Sequence, residues 1–170
     1  MSNKKCIVVD LDGTLVDTEF IFKEISELKL KGEDRWNYFH EHCNSDKVKP
    51  LERATHFIEL INFSVFIVLD IKFDDDNPKV PDMCSGYDVI ISTARKEFSR
   101  EATVKKLKEL NIPYDKLYMR ADEDKRLSSE VKRDHLLEIK KNYDVIAFID
   151  DDLTNCNMAK EFGIFALRVV

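Results

Sequence analysis

Cys6-Ile7-Val8-Val9-Asp10-Leu11-Asp12-Gly13-Thr14 is the stretch whose reading decides the architecture. Four consecutive apolar residues run into an aspartate, and a glycine follows three positions later. An unbroken apolar run predicts a strand buried on both faces, as in a parallel sheet, rather than one with a wet face. In an extended chain Asp10 and Asp12 project to the same side, and Gly13 permits a sharp turn just past them. Open α/β sheets bind ligands beyond the carboxyl ends of their strands, where the strand order reverses. The stretch therefore reads as a buried strand delivering two carboxylates to the ligand-binding edge of a sheet.

Four further β-rich runs lie at 89–93 (VIIST), 116–119 (KLYM), 145–150 (VIAFID) and 164–169 (IFALRV). Amphipathic helices are expected between them. Residues 97–110 place Ala102, Val104, Leu107 and Leu110 among Lys and Glu, 129–141 carry Val131, Leu136 and Ile139, and 153–162 form a shorter third. Asn111-Ile112-Pro113 stops the first helix, and Gly163 sits where a C-terminal cap belongs. Strands alternating with helices predict an α/β three-layer sandwich with right-handed crossovers: a Rossmann-like parallel sheet of five strands. The interval 16–87 is too long for one crossover, so it reads as a mostly helical insertion after the first strand, within a single domain over 1–170. Its expected parts are a helix at 20–31, helical spacing at Trp36, Phe39 and Cys43 and again at Leu51, Ala54, Ile58 and Ile61, an extra strand at 63–69, and an exposed acidic loop at 70–83. Trp36 reads as packing within that insertion.

Hydrophobic residues are 44% of 170, enough for one core, and only 4 Gly and 4 Pro argue against a disordered or collagen-like chain. The 27 Lys and Arg against 33 Asp and Glu leave a net charge of −6, a poor basis for broad capture of duplex nucleic acid, though a local basic groove is compatible with it. The longest uncharged apolar stretch, 60–69, is far short of the roughly 18 residues a bilayer span needs, so no membrane association is expected. The apolar run after Lys4 and Lys5 stops at Asp10, too early for a signal peptide. Cys6, Cys43, Cys84 and Cys156 contain no CxxC pair, and Cys6 and Cys156 read as buried reduced thiols, so the expected compartment is the cytoplasm.

Asp150-Asp151-Asp152 follows another buried run as Asp10 follows the first, and Thr93 ends a third. Three strand ends thus bring several carboxylates and a hydroxyl to one edge. Like charges so close raise one another's pKa or recruit a cation. Oxygen ligands in a one-or-two-carboxylate site suit Mg²⁺ better than Ca²⁺, and neither 70–76 nor 122–126 has the glycine a calcium loop requires.

DLDGT after a strand, a Thr ending the next, a downstream Lys and an Asp pair after a later strand resemble the four motifs of the haloacid dehalogenase-like (HAD) phosphohydrolase superfamily. The resemblance implies a nucleophile at Asp10 forming an aspartyl-phosphate, a general acid/base at Asp12, Thr93 bonded to phosphoryl oxygens, and Lys132 neutralising nucleophile and phosphate. It further implies Mg²⁺ held by Asp10, the Asp12 backbone carbonyl, and Asp150 or Asp151. Lys132 is favoured over Lys125, Arg126 and Arg133 because it opens the helix feeding the Asp150 strand. Ile91-Ser92-Thr93-Ala94-Arg95, Tyr118-Met119-Arg120, Val131-Lys132, Phe148-Ile149-Asp150-Asp151 and the 34–39 stretch DRWNYF are similar to the 3′-phosphatase domain of polynucleotide kinase-phosphatases. By that similarity Arg95 and Arg120 contact substrate phosphate or its flank, a task suited to planar guanidiniums.

Two departures bear on substrate. Ala94 stands where that group has glycine, and 60–88 inserts an acidic loop; no GxxxxGK[ST] occurs in these residues. The expected ligand is a phosphorylated small molecule, a nucleotide or a nucleic-acid end, with no obligate protein partner. A sugar-phosphate phosphatase and a catalytically idle binding module stay open beside the end-processing reading. His40-x-His42-Cys43 has no partner pair at zinc-ligand spacing, and His135 reads as a packing or surface residue.

Overall fold

A computed structural model of the protein describes residues 3–52 and 87–169. Five strands form one parallel sheet: β1 (Lys4–Val9), β4 (Asp88–Lys96), β5 (Lys116–Arg120), β6 (Tyr143–Asp150) and β7 (Phe165–Arg168). Their spatial order is β5-β4-β1-β6-β7. The chain moves outward from β1 through β4 to β5, then returns to the other side of β1 for β6 and β7. The order therefore reverses beside β1, and the crevice of this fold opens at its carboxyl end. This is the expected α/β Rossmann-like sandwich.

Both sheet faces are dry, which explains the unbroken apolar runs. Ile7, Val9, Val89, Ile91 and Ile149 pack on one face with Leu107 and Ile112. Cys6, Val8, Ile90 and Phe148 pack on the other with Leu136, Ile139, Met158 and Ala159. Each buried aliphatic side chain contributes about 1.5–3 kcal/mol relative to exposure. The helices supplying these partners are α3 (Arg100–Glu109), α4 (Ser128–Ile139) and α5 (Leu153–Glu161). Asn111 at φ 53 ends α3 and Gly163 at φ 70 ends α5, both as the sequence predicts.

Several local expectations are corrected. The helix expected from 97 opens with a 3₁₀ turn at Glu97–Ser99 before α3. Its inner face is Thr103, Lys106 and Leu107, while Val104 is exposed. The reason is polar: Thr103 faces a buried guanidinium from β4, which rotates α3 away from the face its apolar spacing suggests. Strand β4 also runs past Thr93 to Lys96; its pairing with β1 stops at Ile91, while its end still pairs with β5 at Lys96 and Arg120.

Between β1 and β4 the expected helix at 20–31 is shorter, α1 (Glu19–Glu27), because Lys29 and Gly32 take positive φ. It is followed by α2 (Gly32–His42). An unexpected antiparallel ribbon closes this helical pair: β2 (Val16–Asp17) pairs with β3 (Lys49–Pro50). Leu51 N–H donates to Leu15 O at 2.9 Å, so the chain returns to the place it left. Phe39 and Cys43 are buried with Ile21 and Ile25, whereas Trp36 is 49% exposed and not the packing residue its spacing suggests. The helical spacing at 54–61, the strand at 63–69 and the loop at 70–83 lie outside the described residues, as does Cys84. Cys6, Cys43 and Cys156 are buried free thiols, and burial pushes Cys6 up to about 12. No helix among the described residues is long and apolar enough to cross a membrane.

Candidate active site

Register brings the acidic residues together. Val9 pairs with Ile149, and Asp10 N–H donates to Ile149 O at 2.8 Å, so Asp10, just past β1, and Asp150, the last residue of β6, stand side by side. Lys132, from the first turns of α4, enters between them. Its Nζ lies 2.5 Å from Asp10 Oδ1 and 2.6 Å from Asp150 Oδ2, all three side chains being buried. Of Lys125, Arg126, Lys132 and Arg133, it is Lys132 that lies between the carboxylates. Burial works against its charge, but Asp10 and Asp150 outweigh that and hold the ammonium protonated, raised above its usual range. Burial raises Asp10, with Lys132 opposing and Asp150 and Asp12 adding to the rise.

The three consecutive aspartates after β6 do three different things. Asp150 Oδ1 accepts from Asp152 N–H at 2.9 Å, and both of its oxygens accept from Asn155 Nδ2. Asp152 caps α5, accepting from Thr154 N–H at 2.6 Å. Asp151 turns toward β1, and its carboxyl is raised by burial and by Asp150. Gly13 makes that approach feasible: its φ is +80, and a Cβ there would lie 2.6 Å from Asp151 Oδ2.

Asp10, Asp150 and Asp151 can each offer an oxygen within 4.8 Å of the others. Three carboxylates and one ammonium leave a net charge of −2, which a divalent cation neutralises. An all-oxygen donor set of this kind fits Mg²⁺. The Asp12 carboxylate is not in this group.

Asp12 is instead paired with Arg95. Nη2 donates to Oδ1 at 2.6 Å and Nε to Oδ2 at 2.9 Å. Arg95 Nη1 donates to Asn44 Oδ1 at 2.7 Å and to Thr103 Oγ1 at 3.4 Å. The guanidinium is 1% exposed. It neutralises Asp12 inside the protein, with its donors turned to Asp12, Asn44 and Thr103. The Asp12 side chain is 18% exposed, so the cluster opens on its side. Arg120 also differs from expectation: Nε donates to Ala94 O at 3.0 Å and Nη1 to Arg126 O at 2.6 Å, bracing the loop after β5 through backbone carbonyls. Thr93 is buried, and its Oγ1 accepts from Arg95 N–H at 3.2 Å, leaving the hydroxyl proton to donate elsewhere.

Five further residues belong to this neighbourhood without a role assigned from the sequence. Thr14 Oγ1 donates to Asp10 Oδ2 at 3.4 Å and was legible as the last letter of DLDGT. Asn155 lies a helical turn beyond the triple aspartate, a recognisable spacing. Asn44 and the Ser92–His135 pair had no sequence signal, because their partners are more than 40 positions away. His135 Nε2–H donates to Met119 O, so Nδ1 accepts from Ser92 Oγ at 2.9 Å. His42 turns its ring to Tyr38, donating to Tyr38 O at 2.8 Å.

The arrangement combines a buried carboxylate held by an ammonium, a second, more open carboxylate two residues on, and an oxygen-rich place for a cation, the elements a phosphoryl transfer requires. A family model described as the polynucleotide kinase PNKP phosphatase domain matches residues 71–170. No curated protein matches the chain. Among solved structures, a chain of the Pnkp1/Rnl/Hen1 RNA repair complex is 23% identical, with a TM-score of 0.68 over 98% of this chain and 42% of that one. The class C acid phosphatase from Bacillus anthracis is 16% identical at TM-score 0.60, over 98% of this chain and 67% of that one. The haloacid dehalogenase-like hydrolase SP0104 from Streptococcus pneumoniae is 16% identical at TM-score 0.62, over 100% of this chain and 86% of that one. The chain thus spans less than half the length of the RNA-repair chain it resembles.

Proposed function

The chain belongs to the family of the polynucleotide kinase PNKP phosphatase domain and is a phosphatase, and from that premise we propose that it is a Mg²⁺-dependent phosphomonoesterase acting through an aspartyl-phosphate on 3′-phosphate ends of nucleic acid or on nucleotides. The observation that carries the proposal is Lys132 bridging Asp10 and Asp150 beside Asp151, with Asp12 held apart on Arg95. Asp10, Asp151 and Asp150 are the residues that would hold the cation; Asp151 offers the freer carboxylate, because Asp150 already accepts from Lys132, Asn155 and Asp152. When bound, Mg²⁺ supplies positive charge against the phosphoryl oxygens.

In this reading an Asp10 oxygen forms a bond to phosphorus as the ester P–O bond breaks. Asp12, entering the first step as the carboxylic acid, gives its proton to the departing alkoxide and becomes the carboxylate paired with Arg95; it then takes a proton from the water that attacks the phosphorus, which releases phosphate and restores both Asp10 and the acid. Arg95 orients Asp12 through both transfers. Lys132 keeps Asp10 and Asp150 from repelling the anionic substrate, and the Thr93 hydroxyl donates to a phosphoryl oxygen. The similar chain in an RNA repair complex supports nucleic-acid ends as the substrate class. Buried free Cys6, Cys43 and Cys156 suit a cytoplasmic setting.

A substrate panel tests the proposal: a 3′-phosphorylated oligonucleotide, 3′- and 5′-mononucleotides and sugar phosphates, each with Mg²⁺ and with EDTA. Preference for the oligonucleotide by more than about 10-fold, a difference of about 1.4 kcal/mol, is expected. Preference for a sugar phosphate, or full activity in EDTA, defeats it.

A further inference from the structure

We propose that Phe98, His40 and Trp36, flanked by Lys96 and Arg35, form a stacking track that seats the unpaired nucleotides leading to the phosphorylated end. The inference rests on the end-processing reading and assigns that substrate a path. One stripe of α2 lies across the carboxyl ends of β4 and β5. Glu33 pairs with Lys125 Nζ at 2.5 Å, the His40 ring meets Phe98 edge-on at 5.5 Å, and Asn44, just past the helix, reaches Arg95. Trp36 lies on the same stripe between Glu33 and His40, because positions three and four apart share a helix face.

Two large rings stand open along this stripe: Phe98 is 64% exposed and Trp36 is 49% exposed. Phe98 lies in the 3₁₀ turn after β4, and its N–H donates to Asp122 Oδ1 at 2.8 Å, so the backbone beneath the open ring is held. The rings are also in contact series, since Phe39 meets Trp36 at 6.2 Å and His40 at 5.6 Å. His40 Nδ1 is buried without a hydrogen-bond partner among the described residues, so the ring is placed by contact with its aromatic neighbours. Arg35 lies over the Trp36 ring at 5.0 Å, and neither Arg35 nor Lys96 has an ion-pair partner among the described residues.

This composition selects the occupant. The chain carries a net charge of −6, yet the two open rings are flanked by Arg35 and Lys96, cations with no ion-pair partner among the described residues. Exposed aromatics with cations beside them match single-stranded nucleic acid, whose bases stack and whose phosphates need neutralising. The Arg95 link from Asn44 to Asp12 ties the end of this stripe to the open side of the carboxylate cluster, where the strand must terminate.

Trp36 is the chain's single tryptophan, so its fluorescence reports on the track directly. Titration of the full chain with a single-stranded 3′-hydroxyl oligonucleotide is expected to quench that emission saturably, while inorganic phosphate does not. In turnover, Trp36→Ala and Phe98→Ala are expected to lower the ratio of kcat/KM for a 3′-phosphorylated oligonucleotide to that for the 3′-mononucleotide about 10-fold. Phe98→Leu, which keeps apolar bulk without the ring, serves if Phe98→Ala does not fold and is expected to act in the same direction. An unmoved ratio, with both substrates losing activity equally or not at all, overturns the track and leaves the rings a structural role. If no 3′-phosphate is turned over, the functional reading fails separately, and the quench with the 3′-hydroxyl oligonucleotide still decides for or against the track.

Discussion

Asp10 and Asp12 are two positions apart on one strand end, and their neighbours give them opposite surroundings. Asp10 is buried against Lys132; Asp12 is partly open and held by two guanidinium nitrogens of Arg95. Asp10→Asn keeps the side-chain volume and removes the attacking oxygen. Turnover is expected to fall at least ~10⁴-fold with the circular dichroism spectrum unchanged, and wild-type-like kinetics would exclude an aspartyl-phosphate. Gly13→Ala tests the hollow beside Asp151. The positive φ and the 2.6 Å approach to Oδ2 both oppose a methyl, so a loss exceeding about 1 kcal/mol is expected in urea denaturation. A weaker Mg²⁺ affinity by calorimetry is expected with it, because Asp151 must move.

The helix α4 brings Lys132 to its place, and His135, one turn later, fastens that helix to two strands through Ser92 and Met119. Burial lowers His135 from its usual 6.5 to about 4, with Lys132 also opposing the charged form. The unfolded chain therefore binds the proton more readily between those values, and stability falls as pH drops from about 6.5 toward 4. His40, also lowered to about 4 by burial, contributes the same sign. His135→Gln is expected to flatten the dependence of Tm on pH in this window without abolishing it; an unchanged slope would mean the imidazole is solvated in the folded protein. In α3 the polar contact of Thr103 with Arg95 prevails over apolar periodicity, because burying an apolar side chain against the guanidinium would cost it a polar neighbour, while one exposed valine costs little.

Across the molecule, three strand ends, one helix and the helical pair before β3 meet at a cluster whose charges do not balance without a cation. Saturating Mg²⁺ is expected to raise the unfolding free energy by about 2.7 kcal/mol at 100 times its Kd, seen as a higher Tm that Asp151→Asn suppresses. A Tm indifferent to Mg²⁺ would dissociate the carboxylate cluster from cation binding. The helical pair contributes to the same place, since Asn44 reaches Arg95 and Glu33 reaches Lys125.

The unbroken apolar runs ending in Asp10 and Asp150 were enough to specify a parallel sheet and the edge where its carboxylates gather, because burial on both faces and strand-end position are local consequences of pattern. DLDGT made Thr14 legible and the triple aspartate made a cluster legible, though the separate tasks of Asp150, Asp151 and Asp152 were not. Partner choice was invisible: Arg95 with Asp12 is separated by 83 positions and Asn44 with Arg95 by 51, and nothing in a linear pattern says which acceptor a buried guanidinium will find. The exposure of Trp36 was equally hidden, since helical spacing identifies a face but not what covers it. Those matters are decided only when the folded chain brings distant groups into one low-dielectric place, where each buried charge must take the partner within reach.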